Sequence, residues 1–211
     1  MNPRYKNLES LLSSHRLKRA AIRKRLAQFK SIPTEKYFYE LVYCFMTPQS
    51  SAVSSFKAQQ VLEAHDFQHQ EINPEPLLHQ KEYYIRFHKT KARLLLEMKS
   101  QYDNILASVT NGNSAFEKRE WLVINVKGLG YKEATHFLRN VGRNDGLAIL
   151  DRHILRNLKR HGVIRSLPAS LTRKKYLSVE LRFQKFAEEL GVAVDELDLV
   201  FWSNEAGQIL K

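Results

Sequence analysis

The stretch VKGLGYKEATHFLRNVG, Val126 to Gly142, sets two glycines two residues apart and follows them with apolar residues at helical spacing. Ala134, Phe137, Leu138 and Val141 fall on one face of a helix, and Gly142 is a normal residue to end it. Upstream, the turn signal Asn111-Gly112-Asn113 leads to Ser114 and Glu117, spaced as a capping box. An apolar face of Ala115, Leu122, Val123 and Val126, with the stem of Arg119, comes next. The spacing predicts a helix of about 11 residues ending at Lys127-Gly128, a Gly-Leu-Gly hairpin, and a second helix to Gly142.

Such a hairpin has two readings. Gly128 and Gly130 let the backbone approach another chain closely, and the amides that open the next helix carry a partial positive charge, which together make a seat for a phosphate. An ordinary tight turn between helices uses the same glycines. Lys132, His136, Arg139 and Arg143 read as a basic stripe on the opposite face of the second helix, and a solvated charged face would look the same. Asp151, 19 residues after Lys132, follows the apolar run Leu147-Ala148-Ile149-Leu150 and precedes Ile154, Leu155 and Leu158. Its simplest role is a helix N-cap.

Outward from the hairpin, apolar residues recur every three or four positions and no stretch alternates over a strand's length, so the fold class is all-α. Leu8, Leu11, Leu12, Ile22, Leu26 and Phe29 predict a basic amphipathic helix or pair of helices. After Pro33, a helix with Phe38, Leu41, Val42 and Phe45 breaks at Thr47-Pro48. Further helices are expected over 50–62, 89–98, 170–190 and 195–202, with a loop and a short helix over 65–80.

The 211 residues are 43% hydrophobic, enough for one sizeable core or two small ones. No apolar run approaches the roughly 18 residues that cross a bilayer, and the N-terminus lacks a secretory core. The chain reads as intracellular, cytoplasmic or nucleoid-associated, with no membrane partner. Nine basic residues against Glu9 alone in the first 30 also fit an organellar transit peptide. Thirty-four Lys and Arg against 22 Asp and Glu leave a net charge of +12, which makes nucleic acid the leading partner through a salt-sensitive attraction. Cys44 is the only cysteine, which excludes an intrachain disulfide and a four-thiolate cluster.

Taken together, Gly-x-Gly-Tyr-Lys132 and Asp151-x-His153 resemble the helix-hairpin-helix superfamily of base-excision DNA glycosylases. The string GLGYKEATHFLRNVG…LAILDRHIL is similar to the second class of 8-oxoguanine DNA glycosylase/AP lyases. The resemblance is specific over Val126 to Leu155. It implies two helical subdomains with a DNA-binding cleft between them: 1–36 with 147–211, and 37–146 holding the helix-hairpin-helix at 115–142. It implies a monomer acting on double-stranded DNA that contains 8-oxoguanine, with no metal and no cofactor.

Residue by residue, the resemblance makes Lys132 the nucleophile that forms a Schiff base and Asp151 its partner. Lys127, Gly128, Gly130 and His153 would contact the DNA backbone, and Gln49 would fill the gap left by an extruded base or be plain polar surface. Trp202 and Lys211, through its α-carboxylate, would read the base. Lys127 stands where many superfamily members have proline, which makes it a rival to Lys132. A non-catalytic helix-hairpin-helix DNA-binding protein, or a glycosylase for another lesion, would share most of these features.

Overall fold

The computed structural model describes residues 5–207. Among them are ten α-helices, two short 3-10 turns and no strand; a lone β-bridge joins His79 and Tyr84. The chain forms two compact units, one of Ile32–Arg143 and one of the chain ends, up to Ser31 and from Asn144. Both boundaries fall a few residues before those at Tyr37 and Leu147 expected from sequence. Pro33 and the 3-10 turn Thr34–Lys36 already lead into the central unit. Asn144 is tied to the other one, its amide donating to the Leu147 carbonyl at 3.3 Å and to Asp195 Oδ1 at 2.8 Å.

The central unit is built on α2 (Tyr37–Met46), whose ten residues are all buried. A segment reading YFYELVYCFM is apolar on every side, so it forms a core helix rather than a surface one. Its one charge, Glu40, accepts from Asn140 Nδ2 at 3.0 Å. Helices α3 (Ala52–Ala64), α4 (His88–Ser100) and α7 (Tyr131–Asn140) pack on α2. Phe38 meets Tyr102 edge-on at 5.0 Å. Tyr102 opens α5 (Tyr102–Thr110), a helix that the sequence reading lacks because Gln101 alone separates it from α4 and only nine residues carry its pattern.

Helix α6 (Ala115–Asn125) starts with the expected capping box: Ser114 Oγ accepts the Glu117 amide and Glu117 Oε2 accepts the Ser114 amide at 2.8 Å. It ends at Val126, slightly before the expected Lys127-Gly128. Arg119 joins α6 to α7 and is wholly buried, not only along its stem. Its Nη1 donates to Thr135 Oγ1 at 3.3 Å and its guanidinium lies over the Tyr131 ring at 5.3 Å.

The basic stripe expected on α7 is not a surface feature. Ala134–Asn140 are all buried because both α2 and α6 pack against this helix. His136 meets Tyr43 edge-on at 5.6 Å, and Arg139 Nε donates to Asn140 Oδ1 at 3.2 Å. Of the four, Arg143 is exposed and Lys132 half-buried.

In the unit of the chain ends, one helix, α1 (Leu8–Lys30), packs on α10 (Val194–Ala206). Helices α8 (Arg152–Arg160) and α9 (Arg173–Leu190) complete it, with Phe183, Phe201 and His161 stacked in the core. Glu196 of α10 is held by two residues of α1, His15 Nε2 at 2.5 Å and Arg23 Nε at 2.7 Å. Ahead of α8, the run Leu147–Leu150 is anchored to α9. Tyr176 Oη donates to the Ala148 carbonyl at 2.6 Å and accepts the Leu150 amide at 3.1 Å.

Candidate active site

The hairpin closes tightly, with the Leu129 amide donating to the Val126 carbonyl at 3.1 Å. Gly128 has φ +87, a backbone that favours glycine, and a Cβ there would lie 2.6 Å from Leu94 Cδ1, so that side chain would have to shift. Gly130 is the N-cap of α7 at φ −90, a conformation open to any residue. No side chain caps α7, which leaves its first-turn amides without helical acceptors. Lys127 is 64% exposed along its side chain, and its Nζ lies 3.5 Å from Glu97 Oε2.

Lys132 is the second residue of α7, its side chain 22% exposed. Its Nζ lies 3.0 Å from Glu133 Oε1 and donates to Thr47 Oγ1 at 3.3 Å. Thr47 caps the end of α2 and opens the turn Thr47–Ser50, in which the Ser50 amide donates to the Thr47 carbonyl at 3.2 Å. Gln49 sits exposed on this turn at φ +57, a strained backbone for a residue with a side chain.

Beneath the turn lies Lys91 of α4, a buried lysine. Its Nζ donates to the carbonyls of Met46 and Pro48, both at 2.7 Å, and to Ser50 Oγ at 3.4 Å. Burial above all, and then the positive charge of Lys132, push the Lys91 pKa down to about 8, with Glu133 opposing the shift. Sequence reasoning missed Thr47, Lys91 and Glu133 as partners of Lys132. The signal for Lys91 was there: it shares the buried face of α4 with Ala92, Leu95 and Met98, where a charge needs a reason.

Asp151 does cap α8, Oδ1 accepting the Ile154 amide at 2.8 Å. Its second oxygen, Oδ2, accepts the indole N–H of Trp202 at 2.9 Å. His153 leans against the Trp202 ring at 5.1 Å, with Nδ1 3.7 Å from Glu205 Oε2. The structure thus groups Asp151, His153 and Trp202 in the unit of the chain ends. Lys132, Gln49 and both hairpin glycines belong to the central unit. Lys211 lies outside the described residues. Among the described residues, no three His, Cys, Asp or Glu side chains are grouped to hold a metal ion, and no helix is long and apolar enough to cross a membrane.

Two helices joined by a glycine hairpin, open amides at the head of the second helix and a lysine beside them define a helix-hairpin-helix protein. The chain belongs to the 8-oxoguanine DNA glycosylase family, whose profile matches residues 22–192. An 8-oxoguanine DNA glycosylase/AP lyase of Fusobacterium nucleatum is 39% identical to it over 95% of this chain and 93% of the relative. The crystal structure of the Thermotoga maritima 8-oxoguanine DNA glycosylase superposes with a TM-score of 0.85 at 32% identity, covering 97% of this chain and 98% of that one. The Methanocaldococcus jannaschii 8-oxoguanine glycosylase/lyase, solved with a 15mer DNA containing 8-oxoguanine, gives 0.83 at 34% identity, covering 96% and 100%.

Proposed function

We propose that the chain excises 8-oxoguanine from double-stranded DNA and then cuts the strand at the emptied site, with Lys132 as nucleophile. The observation that carries this is the placement of Lys132. Its part-exposed amine stands at the head of α7, directly beyond the hairpin whose open amides suit a backbone phosphate. Lys127, the rival, is a surface side chain paired with Glu97, and its exposure suits a phosphate contact rather than a nucleophile that must shed a proton.

The chemistry follows from the amine. Once the damaged nucleotide is flipped from the stack, Lys132 Nζ bonds to C1′ as the N-glycosidic bond breaks and its electron pair leaves with the base. Opening of the C1′–O4′ bond gives a Schiff base. Loss of a C2′ proton then expels the phosphate at C3′, which cuts the strand on the 3′ side. Asp151 takes a proton from the amine and offsets positive charge on the sugar. The two hydrogen bonds to its oxygens support this role, since they fix the carboxylate without using all its lone pairs.

Gly128, Gly130, Lys127 and His153 hold the DNA backbone, Gln49 fills the gap, and Trp202 with Lys211 reads the base. The strained backbone at Gln49, which presents an exposed side chain, supports its part in this scheme.

Borohydride trapping tests the proposal. Incubated with duplex containing 8-oxoguanine, the chain should become covalently attached, and Lys132→Gln should abolish attachment while leaving DNA binding largely intact. A chain that binds the duplex but is never trapped would be a non-catalytic DNA-binding module. Trapping on a different lesion alone would reassign the substrate.

A further inference from the structure

The Thr47 hydroxyl has a single proton, and it is spent. Thr47 Oγ1 donates to the Cys44 carbonyl at 2.9 Å, as a hydroxyl does when it bonds back into its own helix. Toward Lys132 Nζ at 3.3 Å, the oxygen can therefore offer only a lone pair. Glu133 Oε1, 3.0 Å from the same amine, is its ion-pair partner. A neutral amine has two N–H bonds and one lone pair. With one N–H bond directed at the Thr47 oxygen, its lone pair points away from Thr47.

Thr47 in turn has little freedom. Lys91 Nζ holds the carbonyls of the residues on either side of it, Met46 and Pro48, each at 2.7 Å. Burying an ammonium is costly unless its donors are satisfied, and three acceptors around Lys91 Nζ satisfy them. A plain structural lysine could serve elsewhere in α4. This one holds the peptide group that leads into Thr47 and the one that follows Pro48, bracketing the backbone that carries the Thr47 side chain.

We propose that Thr47 and Lys91 are positioning residues for the nucleophile: Lys91 fixes the backbone on both sides of Thr47, and the Thr47 hydroxyl oxygen orients the Lys132 amine so that its lone pair is presented for attack. This inference rests on the assignment of Lys132 as nucleophile and adds what aims it. The charges facing the Lys132 amine are then Glu133 on its own helix and Lys91 from α4, the second being the neighbour whose burial and repulsion lower its own proton affinity. The clamp is full while Lys91 carries all three protons.

The test is single-turnover borohydride trapping on duplex carrying a preformed abasic site, which needs no base recognition, alongside DNA affinity and melting temperature. Thr47→Val keeps the branched shape and removes the oxygen; it should slow trapping about tenfold, the value of one lost orienting hydrogen bond, with DNA affinity unchanged. Thr47→Ser restores the oxygen and should restore the rate to within about threefold. Lys91→Met keeps the length of the stem and should slow trapping as Thr47→Val does. If Lys91→Met does not fold, the Thr47 pair decides.

Wild-type trapping by Thr47→Val would overturn the proposal, and so would a Thr47→Ser variant as slow as Thr47→Val, since shape would then be what matters. Lys132→Gln separates the two levels. If it still traps, the nucleophile is misassigned; if it fails to trap while Thr47→Val traps normally, only the positioning role falls.

Discussion

The indole N–H of Trp202 donates to Asp151 Oδ2 across 2.9 Å, while Asp151 Oδ1 accepts the Ile154 amide at 2.8 Å. Both oxygens of one carboxylate are thus held by neutral N–H donors, one from the backbone of α8 and one from α10. An asparagine has a single acceptor oxygen, and turning its NH2 toward Trp202 would set donor against donor. Asp151→Asn should therefore lower stability by about 1–2 kcal/mol as well as suppressing turnover. Thermal melts and single-turnover excision check this, and an unchanged melting temperature would count against the contact.

Trp202→Phe divides the two roles of that side chain. The ring remains for stacking on a base, but the N–H that holds Asp151 is lost. Strand cleavage at a preformed abasic site should slow along with excision of 8-oxoguanine, by about tenfold if the hydrogen bond is worth a typical amount. If only excision suffers, the indole serves base recognition alone.

The Glu196 cluster predicts how the fold responds to acid. Burial pushes the Glu196 carboxyl up, but hydrogen bonds from His15 and Arg23 outweigh it and hold the group below its ordinary 4.5. Folding thus favours the ionised form. Its contribution is full above about pH 4.5 and is lost as the pH falls through the lower folded value. Glu196→Gln should cost on the order of 2 kcal/mol at neutral pH and flatten the loss of melting temperature below about pH 4.5. Parallel melts of variant and parent from neutral to acid pH measure both effects.

The two hairpin glycines should not tolerate substitution equally. Gly128→Ala forces a side chain to φ +87 and displaces the end of the Leu94 side chain, 2.6 Å from the new Cβ, whereas Gly130→Ala sits at φ −90 and meets the end of the Glu133 side chain at 3.0 Å. The first should cost about 2 kcal/mol or more, and the second well under that. Melting temperatures rank them, and equal losses would show that the hairpin rearranges.

Lys127→Gln should weaken DNA binding on all sequences and lower the slope of log affinity against log salt by about one, while borohydride trapping persists at saturating protein. Its exposed position and surface contact with Glu97 motivate this. Loss of trapping without loss of binding would hand the nucleophile's role to Lys127.

Much of this was readable because local chemistry set it. The Ser114/Glu117 capping box, the helix break at Thr47-Pro48 and the Asp151 cap are written in neighbouring residues, and each appears in the fold. What was misread depended on neighbours far along the chain. His136 and Arg139 look like a charged face until α2 and α6 cover them. Lys91 lies 41 residues from Lys132, and Thr47 lies 85 residues from it, so no local pattern joins them. The Trp202 indole reaches Asp151 across 51 residues, a contact that only the packing of α10 creates.

Thr47 and Gln49 share one four-residue turn, and a buried ammonium grips that turn at the carbonyls of Met46 and Pro48. Those two contacts tie the turn's root to α4, so a push on its tip would act on Thr47. If Gln49 enters the duplex as proposed, resistance from a base still in its stack would be transmitted to the hydroxyl that aims the amine. Undamaged DNA would then be spared by mechanics as well as by base recognition, because a helix that resists would push the reagent out of line.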